Sequence, residues 1–285
     1  MRKRRFVGAL CVGVMTSAVA VEAQNSPPLP TDVPVWMVGH EAIDGRRLEA
    51  YSDVSFTMGG TDKNDALRFG ERIEPRAVQS MSLTAGERDG RAVWVRSFET
   101  ARVGDPQVLA RGEIVLDRTT LAPLSSRLER GGSVTEIEYD WNQYQVRSSS
   151  GDVEAVDVMA LEAAAHETWV AAVDWSRTES AMVPSILAGG GGKWWAVPRV
   201  VGREDVDIGD GERRSAFVVE MDWWGMGAAH TTYTPGGGRN GSAGTGGKYW
   251  VLVDPVPGTP RVVRVQTEAN ENVDSVIQLQ GVDGM

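Results

Sequence analysis

Few residues in this chain have both the type and the spacing for chemistry. Only three histidines occur, His40, His166 and His230. No two stand at the i, i+4 spacing of a zinc-binding helix, and His166-Glu167 lacks the second histidine of that arrangement. A hydrolase whose His, Asp and Glu converge from distant positions stays open as one reading. No Gly-x-Ser-x-Gly elbow is present to expose a serine nucleophile. Two glycine clusters precede a lysine, Gly189 to Lys193 and Gly236 to Lys248. A phosphate loop needs a glycine five residues before its Gly-Lys pair and a hydroxyl just after it. Here those earlier positions are Leu187 and Ser242, and an aromatic residue follows each lysine, so both clusters read as hairpin loops. Paired carboxylates such as Glu204-Asp205 and Glu220/Asp222 read as solvated faces of an acidic chain. No catalytic group, cofactor or metal is expected.

The tryptophans say more. There are ten, and strand-like segments carry the adjacent aromatic pairs Trp194-Trp195, Trp223-Trp224 and Tyr249-Trp250. Neighbouring strand residues point to opposite faces, so each pair puts a large ring on both sides of a sheet. Either both faces are ordinary core, or one is a concave apolar surface that receives a ligand. On the second reading these six residues are the expected ligand-binding set.

The elements that must position them are strands. Gly246 to Thr267 reads as strand, Pro/Gly reversal and strand. Asp89-Gly90 between Arg76–Thr84 and Ala92–Thr100 is the strongest hairpin signal, because both turn positions need positive φ. Thr135, Ile137 and Tyr139 alternate with Glu136 and Glu138, the cleanest period-two run in the chain. Further strands are expected over Val108–Leu116, Trp194–Gly202, Ser215–Met221, Thr231–Thr234 and Val273–Leu279. Consecutive hairpins make a meander, and one with this many strands must curl or close. Met159–Val173 suits either helix or strand. Ser176-Arg177-Thr178-Glu179 has the form of a capping box and predicts a short helix from Arg177 to Val183, which Pro184 stops or kinks.

Residues 1–23 read as a signal peptide: Arg2 to Arg5 form a basic start, Phe6 to Val21 is apolar, and Ala23 precedes the expected cut. Residues 24–34 are a Pro-rich tether and 35–285 one antiparallel β domain. Cleavage removes four of the 29 basic and one of the 39 acidic residues, leaving a formal charge of −13. It also removes Cys11, the sole cysteine, and with it any disulfide or thiolate metal site. That acidity argues against nucleic acid or anionic lipid headgroups as partners. No second apolar run is of spanning length, so no stable membrane anchor is expected.

Three stretches are similar to recurring segments of an uncharacterised family of exported bacterial proteins. They are Leu116-Asp117-Arg118-Thr119-Thr120-Leu121-Ala122-Pro123-Leu124, then Val201–Val206 running into Ala216–Glu220, then Tyr249-Trp250-Val251 with Arg261-Val262-Val263-Arg264. That family resembles the periplasmic lipoprotein carriers LolA and LolB, whose fold is an open, curved antiparallel sheet covered by helices and holding acyl chains. The likeness spans residues 75 to 280, brings no catalytic residues, and is broken by the insert Gly236 to Gly247. It implies a mainly β (α+β) fold, a curved open sheet or half-barrel meander with one or two helices over its concave face. The function it implies is non-catalytic binding or carriage of a lipid or acyl chain in the periplasm or outside the cell. An envelope scaffold with a filled core is the alternative.

Overall fold

The computed structural model describes residues 30–62, 73–105, 107–187, 192–208, 211–226, 231–234, 247–256, 258–269 and 272–283. The predicted signal peptide, most of the tether, His230 and the glycine runs 188–191 and 235–246 lie outside the described residues.

The expected hairpins are present and run in order. They are β1 (Val54–Asp62), β2 (Ala77–Arg88), β3 (Arg91–Arg102), β4 (Val108–Asp117), β5 (Pro123–Arg130), β6 (Ser133–Asp140), β7 (Gln145–Ser148) and β8 (Val153–Ala155). After a helical interlude come β9 (Leu161–Glu162), β10 (Val183–Leu187), β11 (Gly192–Asp207), β12 (Arg213–Met226), β13 (Thr231–Thr234), β14 (Gly247–Leu252), β15 (Val262–Ala269) and β16 (Asn272–Asp283). Asp89 and Gly90 have φ of 52° and 73°, as a two-residue turn matched to strand twist requires. In β6 the alternation holds at Ile137 and Tyr139, which are buried between exposed glutamates.

All sixteen strands belong to one sheet, ordered β8-β7-β6-β5-β4-β3-β2-β1-β16-β15-β14-β12-β11-β10-β9, with β13 beside β12. Each half of the chain is a meander, and the first and last strands join the halves at the centre. Every ladder is antiparallel except β9 with β10. The sheet curls until its two ends meet through side chains. Ile137, Tyr139 and Val146 pack with Ile186 of the opposite end. The Tyr139 hydroxyl donates to Glu162, and Lys193 Nζ on β11 donates to Ala155 O on β8 at 2.8 Å. Among the described residues no backbone ladder joins β8 to β9, so the barrel stays open along that seam.

The hollow is filled by local structure and not by long covering helices. Among the described residues a 3-10 helix, Gly45–Tyr51, and a shorter one, Ala163–Ala165, accompany one six-residue helix, α1 (His166–Ala171). Their residues Leu48, Trp169 and Val170, with Val173 and Trp175 just after α1, join the inner faces of the sheet in one large core. The helix predicted over Arg177–Val183 does not form. Ser176 Oγ donates to Asp174 Oδ1 at 2.5 Å in a tight turn, which takes the hydroxyl away from its capping role. The backbone that follows pairs with β11: Val200 N donates to Glu179 O, Ser180 bridges Arg199, and Pro184 lies within β10 opposite Trp195. Met159–Val173 proves to be both things, a two-residue strand and then the helix.

Candidate functional site

A cleft opens between the sheet centre and the structure inside it. Phe56 and Met58 of β1, Met81 and Leu83 of β2, Val262 and Val265 of β15 and Ile277 of β16 form its floor. Leu48 and Tyr51 of the 3-10 helix, and Glu167, Thr168 and Ala171 of α1, form its roof. Its volume is about 60 Å³.

The 3-10 helix is seated by the segment Asp117–Ala122. Asp117 Oδ1 accepts from the amides of Thr119 and Thr120 at 3.0 and 2.8 Å, which folds the segment into a side-chain-closed turn. Gly45 N donates to Thr119 O, and the Trp94 indole donates to both Gly45 O and Arg118 O at 3.0 and 3.1 Å. A Cβ on Gly45 would stand 2.2 Å from Arg118 O, so only glycine allows this approach.

Two arginines hold α1 from its other end. Arg261 Nη1 donates to Ala171 O at 2.6 Å and Val173 O at 2.9 Å, while Arg47 Nη1 donates to Ala172 O at 3.1 Å. These are last-turn carbonyls with no partner inside the helix, and they carry the negative end of its dipole. Burial lowers the Arg261 guanidinium from its usual range, with Tyr51 and Asp174 opposing that effect and Arg47 adding to it.

One wall of the cleft is charged. Arg96 is 4% exposed on the inner face of β3, between Trp94 and Phe98, and its Nη2 donates to Glu167 Oε2 at 3.1 Å. Glu167 Oε1 lies 3.3 Å from His166 Nε2. His166 Nδ1 lies 2.9 Å from Ala163 O, and since a carbonyl only accepts, that nitrogen carries the proton. Burial lowers the His166 pKa and outweighs the pull of Glu167. For Glu167 burial would raise the carboxyl, but the imidazole and Arg96 more than offset it and it lies below its ordinary range. Beside this wall Gln79 Nε2 donates to Thr100 Oγ1 at 3.1 Å. The result is a greasy slot with an ionised pair on one side. Among the described residues no three His, Cys, Asp or Glu side chains gather as metal ligands would.

None of the six aromatic residues predicted as a ligand surface lines this cleft. Trp223, Tyr249 and Trp250 lie in the main core, with Trp194 packed partly against it. Trp195 and Trp224 stand opposite each other on β11 and β12 and form a second cluster with Met182, Val197 and Val33. Tyr249 meets His166 edge-on at 5.3 Å, and the Trp250 indole donates to Glu204 at 2.9 Å. Of the histidines, His166 supports the charged wall, His40 stacks on Trp36 away from the cleft, and His230 lies outside the described residues. The residues missed by sequence reasoning are Arg96, Glu167 and Arg261. A signal existed for Arg96: in Trp94-Val95-Arg96-Ser97-Phe98 the strand period puts a charge on the face of two large rings.

No family model matches the chain, and no curated protein matches it. Solved structures do. The chain is similar to a β-barrel-like protein of domain of unknown function DUF1849 from Brucella abortus, at 8% identity and a TM-score of 0.44, covering 81% of this chain and 96% of that one. It is also similar to a protein with a YmcC-like fold from Bacteroides fragilis, at 10% identity and a TM-score of 0.35, covering 82% and 96%. The hypothetical lipoprotein YmcC from Escherichia coli is a third, at 9% identity and a TM-score of 0.26, covering 86% and 92%.

Proposed function

We propose that this is an exported, non-catalytic protein of the cell envelope that binds an apolar chain, lipid or acyl, in the cleft under α1. One observation carries the reading. The cleft wall is built from Leu48, Phe56, Met58, Met81, Leu83, Val262, Val265 and Ile277, and it lies where the curled sheet leaves room. Filling it removes apolar surface from water at about 25 cal/mol per Å². Met58 and Met81 supply unbranched, adaptable side chains at the floor, which lets a narrow slot widen around a thin chain. The likeness of its turn-and-strand segments to an exported family that itself resembles the LolA and LolB carriers supports the same class of ligand.

A second reading, an envelope scaffold with a filled hollow, has the size of the cleft in its favour. Its 60 Å³ falls short of the roughly 300–1,000 Å³ of pockets that take drug-sized ligands. Native mass spectrometry with lipid extraction, on the protein purified from its own envelope, separates the two. Adducts of acyl-chain mass support binding. A clean unliganded mass, together with unchanged tryptophan fluorescence on adding fatty acids and fatty alcohols, supports the scaffold.

A further inference from the structure

The cleft contains more hydrogen-bonding capacity than the protein uses. Arg96 is buried on an apolar face, yet among the described residues its guanidinium has one acceptor, Glu167 Oε2, and otherwise lies against the Phe98 ring. Nε and Nη1 have none, and the group lines the cleft. A guanidinium offers five N–H donors in a fixed fork, so Arg96 keeps donors that a ligand in the cleft could meet. Arg261 borders the same space. Its Nε and Nη1 serve the carbonyls of Leu252, Ala171 and Val173, and Nη2 has no acceptor among the described residues. The two arginines touch α1 at Glu167 and Ala171, four residues (about 6 Å) apart along its axis. Against these two guanidinium charges the cleft lining itself sets one carboxylate, Glu167, with Asp174 acting on Arg261 from outside the lining.

We infer that the ligand is an anionic amphiphile whose carboxylate docks on the free edge of Arg96, with Arg261 beside it and its hydrocarbon tail along the floor between β1, β2 and β16. The inference rests on the cleft being a binding site and specifies what it takes. Planar carboxylate matches the guanidinium fork, and a charge-assisted hydrogen bond in a dry site is about twice as strong as a neutral one. Neutral chains should enter by tail burial alone. Cationic ones face Arg96 and Arg261.

The test compares dodecanoate, dodecanol and dodecylamine, all below their micellar concentrations, by titration calorimetry against the full-length protein. Dodecanoate should bind at least about tenfold more tightly than dodecanol. Arg96→Gln should abolish that preference while leaving dodecanol binding within about threefold, and Arg96→Lys should restore part of it. Because Arg96→Gln strands Glu167, the double change Arg96→Gln with Glu167→Gln provides a neutral pair that can still hydrogen-bond, and it should show the same loss. Glu167→Gln alone, which frees the whole Arg96 fork, should tighten dodecanoate. Equal affinities for acid and alcohol, or preference for the amine, would overturn the inference while the cleft remains a binding site. If none of the three binds, both this inference and the proposed function fall.

Discussion

His166 is buried and Glu167 half-buried beside it, and both resist protonation in the folded state. The unfolded chain takes up a proton at His166 near pH 6.5 and at Glu167 near 4.5, while the folded values are lower in each case. In those windows the unfolded state binds more protons, so stability rises with pH. The expected result is a flat urea midpoint above about pH 6.5, a fall as the medium acidifies past it, and a steeper fall below 4.5. His166→Gln should flatten the upper part of that slope and leave the lower part. An unchanged profile in this variant would remove His166 from the account.

The short helical pieces are imposed by contacts at their ends. A six-residue helix is too short to persist alone, and α1 lasts because Arg261 and Arg47 satisfy its last carbonyls. Arg261→Met strips the carbonyls of Ala171, Val173 and Leu252 of that donor. It should cost at least about 1–3 kcal/mol and speed amide exchange in His166–Ala171 before the rest of the fold. Gly45→Ala should cost about 1–3 kcal/mol through its clash with Arg118 O, because a backbone carbonyl cannot swing away. Gly90→Ala meets open space and should cost only its positive-φ penalty, about 1 kcal/mol. Urea midpoints of the two glycine variants, measured together, separate steric from conformational cost.

At the scale of the molecule, the two ends of the open sheet are joined, among the described residues, through side chains and without a backbone ladder. β1 and β16, the first and last strands, are buttressed on both sides, while β8 and β9 are a three- and a two-residue edge. Hydrogen exchange should therefore be slowest in Phe56–Gly60 and fastest along the seam strands. Within the seam the buried Tyr139–Glu162 contact outranks the more exposed Lys193–Glu154 pair. Tyr139→Phe should lower stability by about 1–3 kcal/mol and accelerate seam exchange, whereas Lys193→Ala should change the urea midpoint little. Equal effects from the two would argue that the seam is not clasped through its interior.

Local pattern by itself determined the strands and their succession. The Asp89-Gly90 turn, the alternation at Ile137 and Tyr139, and the paired runs on either side of residue 255 all follow from φ preference and period-two burial, which act between near neighbours. Tertiary structure decided which strands meet when they are not neighbours, above all β1 with β16, since nothing in a strand's own residues names a partner two hundred positions away. It also overruled the capping box at Ser176, because pairing with β11 offered that backbone a better set of hydrogen bonds than one isolated turn of helix. The site lies on the same side of that division. Arg96 meets Glu167 across 71 residues and Arg261 meets Ala171 across 90, so their charges acquire meaning only when the sheet curls and brings them to one cleft.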